Sequence, residues 1–221
     1  VRMALSNVTL KFLKEELLDK IELPIKSSVC LGYPRMTDKI SEIDAIFNSK
    51  SKVLNFNEIM QKLYGSKVNH VLDTNNYENP DILADLNNPI NIEKKYQVVI
   101  DNGTIEHCFN IAQAIDNCKL LCELDGYIIH MNPANWWGHG FYNLSPCFYF
   151  DFYRANGFEV RVFLRDVGKG KITEIKYRPK LTVILDKKRF TMHAIAKKIK
   201  EVDTTFPMQG RYQNFIWNKN V

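Results

Sequence analysis

Long apolar runs are absent from this 221-residue sequence, and the longest are only about half of what a bilayer-spanning helix needs. We therefore expect no transmembrane helix. The first residues also lack the basic, then apolar, then small-residue order of a signal peptide. Internal repeats and low-complexity linkers are missing too, so the sequence predicts one domain over residues 1–221.

Cysteine is scarce and irregularly spaced. The five cysteines are an odd number, and their spacings fit neither a disulfide framework nor the paired ligands of a zinc site. Reduced, partly buried thiols are typical of cytosolic proteins. The sequence therefore predicts a cytoplasmic protein with no bound metal.

Negative charge is scarce toward the C-terminus. Residues 161–221 carry 15 Lys and Arg against 5 Asp and Glu, whereas the remaining residues carry 15 against 20. The basic C-terminal extension, residues 165–221, is either a solvated surface or a means of attracting an anionic partner. Sequence signatures of RNA-binding modules are absent, which disfavours nucleic acid as that partner.

Alternating helical and strand patterns predict the fold class. Helices are expected within an N-terminal extension (1–24) and at 37–47, 54–63, 146–156 and 190–202. Strands are expected at 28–31, 70–73, 81–84, 98–100, 127–131, 158–164 and 181–185. This order predicts an α/β protein, a Rossmann-like three-layer αβα sandwich whose mostly parallel sheet has an antiparallel edge strand.

Polar residues follow two neighbouring predicted strands. The strand at 98–100 runs into Asp101-Asn102-Gly103, and a helix carrying Glu106 and His107 is expected next. The strand at 127–131 runs into Asn132. The carboxyl edge of an open parallel sheet is where ligands bind, so we expect a small-molecule site there.

Three segments between residues 96 and 143 carry a family resemblance: YQVVIDNGTIEHCFN, LLCELDGYIIHMNP and NWWGHGFYN. They resemble the latter half of class I S-adenosylmethionine (SAM)-dependent methyltransferases. The resemblance is nearest to small stand-alone members associated with bacterial surface-polysaccharide and capsule pathways. It covers roughly residues 28–164 and implies SAM as cofactor and S-adenosylhomocysteine as product.

The resemblance also implies where SAM would bind. Asp73, at the end of a strand, would accept hydrogen bonds from the ribose hydroxyls, and the alternative is a turn cap. Asp85 would accept from the adenine amino group while the backbone amide of Leu86 meets the ring, and the alternative is an Asx-turn. Asp101, Asn102, Gly103 and Thr104 would lie beside the sulfonium and its methyl group, with Glu106 orienting a neighbouring group.

Glycine is scarce where the family has a Gly-rich first loop. The equivalent stretch, residues 31–35, holds a single glycine, Gly32. Gly32 would keep a tight turn, and Arg35 would pair with the cofactor carboxylate. The alternative is a loop too obstructed for SAM, which would make the protein a non-catalytic module that binds RNA or an enzyme partner through its basic tail.

Methyl transfer to a hydroxyl requires alignment of the acceptor and removal of its proton. Three histidines are candidate bases, because an unperturbed histidine accepts protons near neutral pH. His107 and His139 are preferred, and His130, inside the strand at 127–131, is the third. The residues expected to hold the acceptor are Asn132, Trp136, Trp137, Tyr142 and Asn143. For the aromatic members of this set, the alternative is a cluster that caps the core.

These observations lead to one hypothesis about function. The protein is expected to O-methylate a small anionic or sugar-like acceptor in capsule or surface-polysaccharide biosynthesis. A phosphoramidate or another phosphate-derived group is among the expected acceptors. Aromatic residues of the helix predicted at 146–156 mainly serve packing, and a homodimer contact is the alternative.

Overall fold

The structure is a computed structural model that describes residues 3–5, 7–17, 21–36, 55–178 and 188–212. Its strands are β1 (Met3–Leu5), β2 (Ser27–Leu31), β3 (Pro34–Met36), β4 (Val68–Asp73), β5 (Ile82–Leu83), β6 (Tyr96–Asp101), β7 (Cys122–Pro133), β8 (Phe158–Asp166), β9 (Ile172–Ile175) and β10 (Phe190–Lys198). Its α-helices are α1 (Asn7–Glu16), α2 (Phe56–Tyr64), α3 (Ile111–Leu121) and α4 (Pro146–Ala155), and single 3₁₀ turns cover Ile105–His107 and Gly210–Tyr212. Within these ranges, no helix has the length and apolar character needed to cross a membrane.

Eight strands form one sheet in the order β5-β4-β2-β6-β7-β10-β8-β9. The pairs among β5, β4, β2, β6 and β7 are parallel, whereas β10 is antiparallel to β7 and β8, and β9 is antiparallel to β8. The predicted α/β class, with a mostly parallel sheet and an antiparallel edge, is confirmed. The strand order reverses between β2 and β6, and ligands of doubly wound sheets bind outside the carboxyl ends of the strands at such a point.

Helices cover both faces of the sheet. All residues of β2 are buried; Cys30 faces a core shared with α1 and α2, whereas Val29 and Leu31 face a second core shared with α3 and α4. A strand buried on both faces is typical of the centre of a parallel sheet. The chain therefore forms three layers, helix, sheet and helix, as predicted.

Local signals explain where two of these helices begin and end. The side chain of Asn55 accepts a hydrogen bond from the backbone N–H of Glu58 and so caps α2, and Gly65 ends the helix with a φ of 67°. Pro146 occupies the first turn of α4, where its missing N–H costs nothing.

The prediction of a basic helix at 190–202 is wrong. Phe190–Lys198 is β10, which lies between β7 and β8. Met192, Ala194 and Ala196 face one core, and the alternate residue Ile195 faces the other. This is the two-residue period of a strand. The basic residues near its end concealed the pattern.

Two other predicted elements need comment. The helix expected to carry Glu106 and His107 is a 3₁₀ turn, and the α-helix begins only at Ile111. The helix expected at 37–47 and the strand expected at 181–185 lie outside the described residues.

His193 on β10 gives the fold a testable dependence on pH. Burial and the charge of Arg165 lower the pKa of His193 to about 3, against 6.5 for a free histidine. Between these values the unfolded chain binds this proton and the folded protein does not. The free energy of unfolding should therefore fall as pH drops below 6.5, by at most about 1.4 kcal/mol per pH unit from this residue.

Urea unfolding of the wild type and of His193→Leu at pH 7 and pH 5 isolates this contribution from the other titrating groups. The variant should lose less stability than the wild type between the two pH values. Equal losses would mean that folding does not lower the pKa of His193.

Candidate functional site

A cleft of about 400 Å³ opens at the carboxyl ends of β2, β4 and β6, where the strand order reverses. Its volume falls within the range of small-molecule sites. The residues that line it are Gly32, Leu72, Asp73, Thr74, Asp85, Leu86, Asn87, Thr104, His107 and Cys108. Five of the residues expected near the cofactor are in this set, and Asp101, Asn102, Gly103 and Glu106 are not.

The first loop is held by its neighbours. Gly32 has a φ of 74°, which glycine adopts without strain, and its N–H donates to the carbonyl oxygen of Leu72 at 2.7 Å. The N–H of Tyr33 donates to Oδ2 of Asp73 at 2.9 Å. The hydroxyl of Thr104 donates to the carbonyl oxygen of Leu31 at 2.6 Å. One glycine thus suffices for the turn, because adjacent strands fix the loop. The pairing expected for Arg35 involves a side chain outside the described part.

Asp73 is 6% exposed and caps the turn that follows β4. Its Oδ1 accepts from the N–H of Thr74 at 2.7 Å, from the N–H of Asn75 at 3.3 Å and from Nδ2 of Asn75 at 3.1 Å. The turn cap considered from the sequence is therefore present. The contact with a ribose stays a prediction, and the residue does line the cleft.

Asp85 lies at the exposed rim of the cleft and forms an Asx-turn. Its Oδ1 accepts from the N–H of Asn87 at 2.9 Å, and its Oδ2 accepts from Nδ2 of Asn88 at 3.1 Å. These bonds fix the backbone beside Leu86, which is 1% exposed. The expected contacts of both residues with adenine stay predictions.

A buried polar network lies behind the cleft, around the end of β6. Oδ2 of Asp101 lies 2.7 Å from Nδ1 of His130, and Nε2 of that histidine lies 2.5 Å from the hydroxyl of Tyr153. Both ring nitrogens of His130 therefore have a partner, the carboxylate at Nδ1 and the phenol at Nε2. Burial alone would raise the pKa of Asp101, but hydrogen bonds from His130 and Asn132 lower it below its usual value.

Asn132 connects this network to Glu106. Its Nδ2 lies 2.9 Å from both Oδ2 of Asp101 and Oε2 of Glu106, and its Oδ1 accepts from the hydroxyl of Tyr149 at 2.5 Å. At 1% exposure, Asn132 is in a position to orient Glu106. A direct contact between Asn132 and an acceptor stays a prediction.

Glu106 is fully buried, yet one of its oxygens is unused. Oε2 accepts from Asn132, whereas Oε1 has no hydrogen-bond partner among the described residues. Burial, together with the negative charge of Asp101, raises the pKa of Glu106 to about 8. An uncompensated carboxylate is costly in such a place, so this group needs a proton or a cation at Oε1.

Two histidines converge on that unused oxygen. Nε2 of His107 lies 3.7 Å from Oε1 of Glu106, and Nε2 of His139 lies 3.6 Å from it. The centroids of the two imidazole rings are 5.1 Å apart. Burial and the neighbouring His139 lower the pKa of His107 below its usual value. The two preferred candidate bases thus share one site, with the carboxylate between them.

The aromatic loop, residues 136–143, is anchored on Glu106. The N–H groups of Phe141 and Tyr142 donate to the carbonyl oxygen of Glu106 at 2.9 and 3.3 Å. A Cβ added at Gly140 would lie 2.8 Å from the same oxygen, so only glycine permits this close approach. The loop thereby places His139 above the Glu106 carboxylate.

The remaining residues expected to hold an acceptor divide into two groups. The hydroxyl of Tyr142 donates to the carbonyl oxygen of Phe109 at 2.8 Å, and Oδ1 of Asn143 accepts from the N–H of Trp136 at 2.6 Å. Those polar groups hold the loop in shape. Trp137 is 94% exposed, and Trp136 packs edge-on against His139 with 5.2 Å between centroids. Trp136 is therefore available as a wall beside His139, whereas a contact of Trp137 with an acceptor stays a prediction.

Sequence reasoning placed Thr104 near the cofactor, and this residue lines the cleft. It missed the roles of Tyr149 and Tyr153, which belong to the buried network around His130 and were interpreted mainly as packing. A signal was present, because tyrosines four apart on a helix present two hydroxyls to the same side. Which strand they face could not be read from the spacing.

No protein-family model and no curated protein sequence matches the chain. Among solved structures, a protein of Bacillus halodurans provisionally assigned as a methyltransferase has 9% identity and a TM-score of 0.47, over 88% of this chain and 99% of that one. Phosphoethanolamine N-methyltransferase 1 of Haemonchus contortus, solved with phosphoethanolamine and S-adenosylhomocysteine, has 12% identity and a TM-score of 0.41, over 96% of this chain and 48% of that one. At such identities neither neighbour assigns an activity to this chain.

Proposed function

We propose that the protein is a SAM-dependent methyltransferase that O-methylates a small anionic or sugar-like acceptor. The observation that supports this most is the cleft at the reversal of strand order, with Asp73 and Asp85 at the ends of successive strands and His107 in its wall. These are the positions at which the sequence resemblance puts the ribose and adenine contacts. Gly32, whose φ is 74°, also lines this cleft.

The cofactor would lie across the ends of β4, β2 and β6. Asp73 would accept from the ribose hydroxyls, and Asp85 and Leu86 would meet the adenine. The methyl group would then point toward His107, which connects the cleft to Glu106 and His139. A hydroxyl acceptor loses its proton at this end, either to one of the two histidines or with the help of a bound cation.

The anionic character proposed for the acceptor is supported by the position of two basic residues, Lys188 and Arg189, which directly precede β10. Asn135 accepts from the N–H of Phe190 at 2.8 Å and donates to the carbonyl oxygen of Lys188 at 2.7 Å. The guanidinium of Arg189 lies 5.7 Å from the Trp136 ring, which itself contacts His139. Exposed basic groups thus border the proposed acceptor site. The third basic residue of this run, Lys187, lies outside the described residues.

The finer setting of the reaction rests on the sequence resemblance. The proposed pathway is capsule or surface-polysaccharide biosynthesis. The proposed acceptors include a phosphoramidate or another phosphate-derived group. All five cysteines are free thiols, which supports a cytoplasmic setting. A homodimer stays an open alternative to a monomer.

Neutralising the basic groups beside the acceptor site should weaken acceptor binding specifically. The double variant Lys188→Gln/Arg189→Gln should raise the KM of an anionic acceptor by about 3- to 10-fold and reduce its salt dependence, because exposed charges contribute modestly and are screened by salt. SAM affinity should not change. The matched control, Lys197→Gln/Lys200→Gln, neutralises one lysine near the far end of β10 and one two residues beyond it. If both double variants change the acceptor KM equally, the extension is only a solvated basic surface.

The activity itself is tested by incubating the protein with SAM carrying a deuterated methyl group and a panel of sugars, sugar phosphates and phosphoramidates. A mass increase in one acceptor, with matching production of S-adenosylhomocysteine, is the expected result. The rival function is a non-catalytic module, favoured by the charge asymmetry and the single glycine of the first loop. Salt-sensitive RNA binding without SAM binding would support that rival.

A further inference from the structure

Three potential metal ligands meet at one point beside the proposed cofactor cleft. Oε1 of Glu106, a ring nitrogen of His107 and a ring nitrogen of His139 all lie within 4.8 Å of one another. The two distances from Nε2 to Oε1 are 3.7 and 3.6 Å, beyond hydrogen-bond length. The three groups therefore surround a space rather than bonding to each other.

The buried oxygen at the centre of this group indicates what that space is for. Glu106 is fully buried and its Oε2 is fixed by Asn132, but Oε1 has no hydrogen-bond partner among the described residues. Buried polar atoms are rarely left unpaired unless a ligand, ion or catalytic role accounts for them. A carboxylate oxygen aimed between two imidazole nitrogens is a characteristic metal-ligand arrangement.

The backbone around these ligands is shaped for this arrangement. A Cβ added at Gly103 would lie 3.1 Å from Oε1 of Glu106, and one added at Gly140 would lie 2.9 Å from its Cγ. Glycine at both positions leaves room for the carboxylate and for the loop above it. The backbone bonds from Phe141 and Tyr142 to Glu106 then fix His139 over Oε1.

We propose that Glu106, His107 and His139 bind a divalent transition-metal ion of the Zn²⁺ type. Two histidines and a glutamate are a ligand set of catalytic zinc sites, which keep one position open. With bonds of about 2.0–2.1 Å in tetrahedral geometry, neighbouring ligand atoms lie roughly 3.4 Å apart. Shifts of a few tenths of an ångström bring the two nitrogens to that distance from Oε1. Asn132, through its bond to Oε2, orients the carboxylate ligand.

The consequence for the acceptor rests on the proposed function. The open position takes an oxygen of the acceptor and lowers its pKa, so the proton leaves to water and no histidine needs to act as base. Transfer then forms the bond between that oxygen and the methyl carbon as the bond from carbon to sulfur breaks, with S-adenosylhomocysteine as product. A sugar hydroxyl or a phosphate-type oxygen fits this role.

The test measures metal binding directly and needs neither SAM nor an acceptor. Untagged protein freed of metal with a chelator is titrated with ZnCl₂ by calorimetry, and Co²⁺ is used as a spectroscopic probe of the ligand set. We expect one ion per chain. The variants Glu106→Gln and His139→Gln should each lower the Zn²⁺ affinity by about 100-fold or more and weaken the Co²⁺ absorption bands, because each removes a ligand. Circular dichroism confirms that each variant is folded, and His139→Gln changes only a partly exposed loop residue.

The matched control is His70→Gln, which changes a histidine on β4 that bonds to the hydroxyl of Tyr96. It should leave Zn²⁺ affinity unchanged. The proposal is overturned if the wild type binds no stoichiometric ion, or if His139→Gln and His70→Gln bind Zn²⁺ as the wild type does. Calorimetry with SAM on the same samples tests the proposed function separately, so that either idea can fail alone.

Discussion

Replacing Asp101 with alanine should lower the free energy of unfolding by about 3–5 kcal/mol, because several buried donors lose their acceptor and each unsatisfied buried group costs about 1–3 kcal/mol. The variant leaves Nδ1 of His130 and Nδ2 of Asn132 without their shared acceptor, and the N–H of Thr104 loses its bond of 2.9 Å. For a chain of this size, each kcal/mol shifts the melting temperature by about 2–4 °C. The expected decrease is therefore about 10 °C, measured by calorimetry or circular dichroism.

A control for this effect is Asp203→Ala, which removes an exposed carboxylate far along the chain. It should change stability by less than about 0.5 kcal/mol. An Asp101→Ala protein as stable as the wild type would contradict the buried network, because the hydrogen bonds to this carboxylate would then not contribute to stability.

Replacing Asp73 with alanine should weaken SAM binding by about 1.5–3 kcal/mol, or roughly 10- to 150-fold, the range for hydrogen bonds to a charged group. Asp73 also caps the turn after β4, so part of any loss could come from local disorder. A matched control separates the two effects. Asp166 caps the turn after β8 in the same manner, accepting from the N–H groups of Gly168 and Lys169, and lies outside the cleft.

Calorimetric titration of SAM into both variants gives the comparison. Asp166→Ala should bind SAM as the wild type does, whereas Asp73→Ala should not. Unchanged affinity in a folded Asp73→Ala protein would remove this residue from the cofactor site.

The parallel part of the sheet was predictable because its strands are short buried runs, most of which end on polar residues. The runs at 28–31, 70–73, 98–100 and 127–131 lie within β2, β4, β6 and β7. Burial on both faces makes such strands continuously apolar, and the polar residues mark the carboxyl edge. The cleft could therefore be anticipated at that edge.

The strand β10 was not predictable by the same reasoning. Its alternating residues include Thr191, His193 and Lys197, which disguise the two-residue period. Lys198 is 1% exposed because its ammonium donates to the carbonyl oxygens of Lys119 and Cys122. The burial of this lysine depends on tertiary contacts, which the local sequence pattern does not reveal.

The proximity of Glu106, His107 and His139 could not be predicted from the sequence either. His139 lies more than thirty residues from the other two along the chain, and the prediction of no metal rested on cysteine spacing. What brings them together is the bonding of the loop backbone to the carbonyl oxygen of Glu106 and the close approach at Gly140. The sequence shows the glycines that flank His139, but it does not show that Gly140 packs against the backbone of Glu106.

The central claim is that the cleft at the ends of β2, β4 and β6 binds SAM, and calorimetric titration of SAM into the wild-type protein tests it most directly. We expect saturable binding of one molecule per chain with a micromolar Kd, and competition by S-adenosylhomocysteine. A folded protein that shows no saturable binding of either molecule would contradict the account.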